Sequence, residues 1–198
     1  MIIGLTGSIA TGKSTVSRML KEKGYKIVDA DEISRQVVEP RSTVLEEIAS
    51  VFGSDLILPT GELDRDKLGA LIFNDPLERE KLNKIIHPAI RQEMVRQKEF
   101  WLEKGSQTVI MDIPLLFESK LQSYVEKIIV VSVAPSIQRE RLMARNNLSL
   151  EEADARITSQ LLVSEKEKGA DAVINNDGTL EETERQLDAI LSKWNAKL

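Results

Sequence analysis

Residues Gly7-Ser8-Ile9-Ala10-Thr11-Gly12-Lys13-Ser14 follow the spacing G-x-x-x-x-G-K-[ST]. That pattern suits a loop around phosphate groups. Gly7 and Gly12 let the backbone turn sharply and bring several N–H groups toward a β-phosphate. Lys13 adds a positive charge that can reach the β- and γ-phosphates, and Ser14 offers a hydroxyl to Mg²⁺. Ala10, Thr11, Gly12, Lys13, Ser14 and Thr15 are therefore the candidate contacts of a nucleoside triphosphate.

Other residue types add to this chemistry. A hydroxyl that accepts a phosphoryl group needs a carboxylate to orient it and take its proton. Asp29 and Asp31 stand at the end of an apolar segment and are two residues apart, so on a strand both would face one side. Asp31 is the candidate base; the alternative, which would be preferred for an aspartate away from a phosphate loop, is a cap for the helical pattern that starts at Glu32. Asp112 ends another apolar run, a position suited to holding Mg²⁺ through water; the alternative is a solvated strand end. Arg139, Arg141, Arg145 and Arg156 cluster further on. Arg141 and Arg145 are four apart on one helix face and are candidates for stabilising a transferring phosphoryl group. The alternative for these arginines is surface pairing with Glu140, Glu151 and Glu152. The sole histidine, His87, lies beside Pro88 with no metal-ligand spacing around it, which favours a structural or substrate-pocket role.

These residues need a scaffold. Met1–Leu5 reads as a short buried strand leading into the loop, and a helix follows it as far as Lys23. Tyr25–Asp29, Thr108–Asp112, Lys127–Val133 and Asp171–Ile174 read as four more strands. Between Glu32 and Lys104 the pattern is helical. Asp75-Pro76 opens a long charged helix there, which Pro88 is expected to kink or break. Ser149–Glu152 and Thr179–Glu182 have capping-box spacing and predict two further helix starts. The alternation predicts an α/β fold: a doubly wound, five-stranded parallel sheet of P-loop kinase type. It carries a helical substrate-binding insert and an arginine-rich lid, both at the edge where ligands bind. The predicted organisation is one domain over 1–198, with its core at 1–31 and 105–198, the insert at about 32–104 and the lid at about 140–165.

Composition bounds the rest. A net charge of −5 argues against broad nucleic-acid binding, so a polyanionic ligand needs locally clustered cations. There is no cysteine, which excludes disulfides, thiolate metal sites and a cysteine nucleophile and suits a reducing cytosol. No apolar run approaches the ~18 residues of a membrane span. With a strand at the very start and no signal peptide expected before it, a cytoplasmic enzyme is expected, monomeric or a small homo-oligomer, with no nucleic-acid or membrane partner.

The ordered set of motifs resembles the dephospho-coenzyme A kinase family over nearly the whole length. The resemblance rests on Gly4-Leu5-Thr6-Gly7 with the phosphate loop, on Asp29-Ala30-Asp31 with Ile33 and Arg35, and on Leu63-Asp64-Arg65 leading to Phe73. It continues through His87-Pro88, Asp112-Ile113-Pro114-Leu115-Leu116-Phe117-Glu118, and Gln138 with Arg141 and Arg145. Arg156-Ile157 with Gln160, then Ala170-Asp171 with Ile174, Asn176 and Gly178, complete it. The resemblance implies phosphorylation of the ribose 3′-hydroxyl of dephospho-CoA by ATP, with Mg²⁺, as the last step of coenzyme A synthesis. It implies Asp31 as the base, Lys13 as the phosphate-binding lysine, Arg141 or Arg145 as a lid arginine, and Asn176 and Gly178 in a loop near the adenine. Ser8 stands where the family usually has glycine, and Asn146 where aspartate often follows the lid arginine.

For the acceptor, the insert offers Leu68, Leu71, Ile72, Phe73, Ile85 and Ile86 near Arg65, Lys81, Lys84 and His87. The Pro114–Phe117 segment, with Leu115 and the adjacent Asp112, adds a second wall. That balance suits a long ligand with an internal diphosphate, unless the apolar residues are helix core. The alternative function is phosphorylation of a nucleoside monophosphate or another small acceptor. A nucleotide switch is disfavoured because Asn-Lys-x-Asp is absent: the turn reads Asn175-Asn176-Asp177-Gly178.

Overall fold

The computed structural model describes residues 1–73 and 75–198. Five strands form one sheet: β1 (Ile2–Gly7), β2 (Lys26–Asp29), β3 (Val109–Asp112), β4 (Lys127–Ser132) and β5 (Ala172–Asn175). Their order is β2-β3-β1-β4-β5. β1 pairs parallel to β3 and to β4, and β4 pairs parallel to β5. Leu5 lies opposite Asp112, Gly7 opposite Val131, and Ser132 opposite Asn175. The loops after β1, β3 and β4 therefore leave the same edge of the sheet. β1, β3 and nearly all of β4 are buried, as expected where helices cover both faces of a parallel sheet.

Nine α-helices occur among the described residues: α1 (Lys13–Glu22), α2 (Ala30–Gln36), α3 (Thr43–Phe52), α4 (Arg65–Phe73), α5 (Pro76–Glu103), α6 (Pro135–Asn146), α7 (Leu150–Thr158), α8 (Val163–Lys168) and α9 (Leu180–Lys193). The chain divides into two compact units, Met1–Val28 with Lys98–Leu198, and Asp29–Gln97. In the first, Ile3, Leu5, Ile110, Ile129, Val131 and Ile174 of the sheet pack with Val16, Met19 and Leu20 of α1 and with Leu187 and Leu191 of α9. The spacings 16/19/20 and 187/191 place each set on one helix face. In the second, Val38, Leu45, Ile48, Leu56, Leu63, Leu68 and Leu82 form a separate core.

Local signals set the helix ends. Ser149 and Thr179 make complete capping boxes with Glu152 and Glu182. The Asp75 carboxylate accepts from the N–H groups of Leu77 and Glu78 at 2.9 and 3.2 Å, with Pro76 as the first helical residue. The expected break at Pro88 does not occur: α5 runs unbroken through it. Proline costs one ladder bond, that of the Lys84 carbonyl. Both residues are exposed, so water can take the donor's place. Among the described residues no helix is long and apolar enough to cross a membrane.

Candidate active site

The turn between β1 and α1 departs from the sequence expectation in one respect. Its left-handed residues are Ala10 (φ 62°) and Gly12 (φ 88°), not Gly7. Gly7 is needed for close approach instead: a Cβ there would stand 2.9 Å from the Val131 carbonyl and 2.6 Å from Thr11 Oγ1. Gly12 begins α1 without any side-chain cap. The N–H groups of Lys13 and Ser14 in the first turn have no intrahelical acceptor, so this end of the helix is open to an anion. The Thr11 hydroxyl closes the loop on the Ser8 carbonyl at 2.9 Å, and Thr15 N–H bonds to the Gly12 carbonyl at 2.9 Å. Ser14 is exposed.

Asn176 braces this turn from the loop after β5. It is 6% exposed; its amide donates to the Thr11 carbonyl at 2.9 Å and its oxygen accepts from the Thr183 hydroxyl at 2.9 Å. A Cβ on Gly12 would fall 2.0 Å from the Asn176 amide nitrogen. Gly12→Ala is therefore expected to lose stability twice. A left-handed φ costs about 1–2 kcal/mol for a residue with a Cβ, and forced overpacking about 1–3 kcal/mol. Chemical denaturation and ADP titration check this. Unchanged stability together with unchanged ADP affinity would contradict the brace.

Lys13 and Asp112 are brought together as a direct ion pair, Nζ to Oδ1. Asp112 is only 2% exposed, so it is not a solvated strand end. With Lys13 one-fifth exposed, the pair sits at the mouth of the loop. The lysine is held by a carboxylate that a polyphosphate can replace as its counter-charge.

The loop is also tied to the α6–α8 region through residues to which sequence reasoning gave no role. The Ser8 hydroxyl donates to the Leu161 carbonyl at 3.0 Å. Ile9 N–H donates to Gln160 Oε1 at 2.9 Å, and the Gln138 amide donates to the Ile9 carbonyl at 2.8 Å. Ser8 thus makes a bond that the glycine implied there by the resemblance could not make. Gln138 and Gln160 carried a signal, since both stood in the motif set, but their partners lie about 130 and 150 residues away.

Asp29, not Asp31, caps α2, accepting from the N–H groups of Asp31 and Glu32 at 2.8 and 3.0 Å. The strand ends at Asp29, so the two carboxylates do not alternate along one strand. Asp31 lies exposed in the first turn of α2. Among the arginines, Arg139 pairs with Asp154 at 2.6 Å, and Arg145 donates to the Asn146 side-chain oxygen at 2.9 Å. Asn146 thereby fixes the guanidinium of its neighbour. The Ala134 N–H, then the Asn175 amide, and more distantly the Arg141 charge hold the Asp177 carboxyl below its usual pKa. Gly178 is exposed beside it.

Arg65 is exposed at the first residue of α4, and Leu115 is 42% exposed after β3. His87 lies on α5 with a lowered pKa, first from partial desolvation and then from the Arg91 charge. The apolar residues of the insert divide. Leu68 is core, with Ile72, Ile85 and Ile86 packed against that core, whereas Leu71 and Phe73 are 44% and 76% exposed. Leu116 is fully buried rather than part of a wall. No cluster of three or more His, Asp or Glu able to hold a metal occurs among the described residues.

A parallel sheet whose central strand feeds a phosphate loop is the P-loop nucleotide-binding fold. Shikimate kinase from Bacteroides thetaiotaomicron shares this fold with a TM-score of 0.51, over 98% of each chain at 16% identity. The specific relation is closer. The dephospho-CoA kinase family model matches residues 1–182. A dephospho-CoA kinase of Bacillus anthracis is 55% identical over 195 residues, 98% of each chain. The structure of dephospho-CoA kinase from Campylobacter jejuni superposes with a TM-score of 0.76 at 30% identity, covering 98% of this chain and 96% of that one. The chain belongs to the dephospho-CoA kinase family.

Proposed function

We propose that the chain transfers the γ-phosphoryl group of ATP to the ribose 3′-hydroxyl of dephospho-CoA, giving coenzyme A and ADP in the last step of coenzyme A synthesis. The observation that carries this is the phosphate loop with its paired Lys13 and Asp112, in a chain whose relatives at 55% identity are dephospho-CoA kinases. In the reaction the 3′-oxygen attacks the γ-phosphorus, the bond from that phosphorus to the ADP oxygen breaks, and the hydroxyl proton passes to the Asp31 carboxylate. Residues Ala10 to Thr15 surround the phosphates, with the N–H groups of Lys13 and Ser14 as the open donors, and Lys13 leaves Asp112 for the β- and γ-oxygens. Arg141 and Arg145, in a lid at about 140–165, stabilise the charge that spreads over the transferring group.

Magnesium fits the donors present. Ser14 and Asp112 offer the hard oxygen ligands that Mg²⁺ takes together with substrate phosphates, and a site completed by nucleotide needs no cluster of protein carboxylates. When bound, the ion neutralises phosphate charge. Asn176 and Gly178 serve the nucleotide side, Asn176 by bracing Thr11. Arg65, His87, Asp112 and Leu115 serve the acceptor, with the insert at about 32–104 supplying most of its site. We assign action in the cytoplasm, as a monomer or a small homo-oligomer.

Acceptor comparison tests the reading. Robust phosphorylation of dephospho-CoA is expected, with weak activity on adenosine and almost none on AMP. Remote contacts to the pantetheine arm position the hydroxyl, so removing the arm lowers kcat/KM. If AMP is the best acceptor, the chain is a nucleotide kinase.

A further inference from the structure

Lys166 is completely buried, a rare state for lysine. It sits on α8, one turn after the buried Val163. Its ammonium meets three oxygens: Glu118 Oε1 at 2.9 Å, the Pro114 carbonyl at 3.1 Å and the Gly7 carbonyl at 3.4 Å. Three protons meet three acceptors, so the group is satisfied without water. Gly7 is the last residue of β1 and the first of the phosphate loop. Pro114 and Glu118 follow Asp112. One cation therefore joins the two segments that carry Lys13 and its partner Asp112.

The same knot reaches further. Thr6 Oγ1 donates to the Pro114 carbonyl at 3.0 Å, and Glu118 Oε1 also accepts from Leu161 N–H at 3.1 Å. Leu161 in turn accepts from Ser8, and Gln160 from Ile9. The next residue, Glu167, binds the Ser132 hydroxyl at the end of β4. The 160–167 segment thus fastens the ends of β1 and β4 and the loop after β3, the three exits at the ligand edge of the sheet.

We propose that Lys166 is a positioning residue for phosphoryl transfer: its buried ammonium sets the phosphate loop against the loop after Asp112, beyond neutralising Glu118. This rests on the kinase function above. A shift of about 1 Å at a reacting centre can cost on the order of 10²-fold in rate, so the effect appears in kcat.

Three variants separate positioning from charge pairing: Lys166→Met, Glu118→Gln, and the two combined. In each, kcat, the KM values for ATP and dephospho-CoA, and the thermal midpoint are measured. Glu118→Gln keeps the cation, its two carbonyl bonds and an amide oxygen as third acceptor; it removes the counter-charge of a buried ammonium, so the midpoint should fall while kcat stays within about threefold of the parent. Lys166→Met leaves a carboxylate uncompensated and should lower both midpoint and kcat. In the double variant both partners are neutral. Its midpoint should recover relative to Lys166→Met, while kcat remains about 10–100-fold down with the KM for dephospho-CoA little changed. Recovery of parental kcat in the double variant overturns the proposal. So does a kcat loss in Glu118→Gln equal to that of Lys166→Met. If neither methionine variant folds, Glu118→Gln alone decides: retained kcat supports the cation's role, and a loss of about tenfold or more overturns it. The unsubstituted protein in the same assay tests the kinase function separately, since absence of dephospho-CoA turnover there overturns that function first.

Discussion

Lys13→Ala is expected to lower turnover by about 10²–10³-fold or more, the scale seen when one preorganised group that stabilises transition-state charge is removed. The structure adds a second consequence. Lys13 is the direct ion-pair partner of Asp112, which is 2% exposed. Breaking a buried pair by removing one partner costs about 3–5 kcal/mol, because the remaining charge is left without compensation. The partial exposure of Lys13 discounts that figure. A loss of activity alone would therefore mix chemistry with stability. Asp112→Asn combined with Lys13→Ala separates them: the neutral pair should recover most of the thermal midpoint and none of the turnover. Kinetics are measured well below the midpoint, with circular dichroism as the check on folding. A folded Lys13→Ala protein that retains kcat within about threefold of the parent would remove Lys13 from the mechanism.

Local chemistry was legible in the sequence. Capping boxes at Ser149 and Thr179, the Asp75-Pro76 helix start, and the strand–loop–helix context of Gly7–Ser14 all involve residues a few positions apart. Their geometry is set by backbone hydrogen bonds within that span. The strands β1, β3 and β4 were readable as continuous apolar runs, as buried parallel strands are, whereas the edge strands β2 and β5 are only partly buried. What could not be read were pairings at long separation. Lys13 and Asp112 were each identified as functional, but their direct contact spans 99 residues and depends on the register that sets Leu5 opposite Asp112.

Lys166 is the clearest case. It lies in Ser164-Glu165-Lys166-Glu167-Lys168, a run that reads as a solvated helix face. Only its spacing of three from Val163 hinted at burial, and a spacing signal cannot outweigh four charged residues. The arginine cluster shows the converse. Pairing with Glu140, Glu151 and Glu152 was the local alternative, but the observed ion pair of Arg139 is with Asp154, on the neighbouring helix. At Pro88 the helix continues without a break, at a place where Pro88 and Lys84, whose carbonyl loses its donor, are both exposed.

Asp31→Asn is expected to lower kcat by about 10²–10⁴-fold, the usual contribution of a general base, with the dissociation constant for ATP little changed. Asparagine keeps the shape and hydrogen-bonding reach of the side chain and loses only the ability to take the 3′-hydroxyl proton. The neighbouring carboxylate supplies the control. Asp29 Oδ1 holds the N–H groups of Asp31 and Glu32 and caps α2, whereas the Asp31 carboxylate receives no hydrogen bond from the protein among the described residues. An aspartate engaged in capping is a poor candidate for accepting a substrate proton; one left open to solvent on the first turn is a good one. Asparagine caps helices about as well as aspartate, so Asp29→Asn should leave both midpoint and kcat near the parent values. Asp29→Ala should cost about 0.5–2 kcal/mol of stability through the lost cap while sparing the chemistry. Steady-state kinetics, thermal unfolding and ATP titration on the three variants decide between the two carboxylates. If Asp29→Asn abolishes turnover and Asp31→Asn does not, the proton goes to Asp29, through the Oδ2 that the cap does not use.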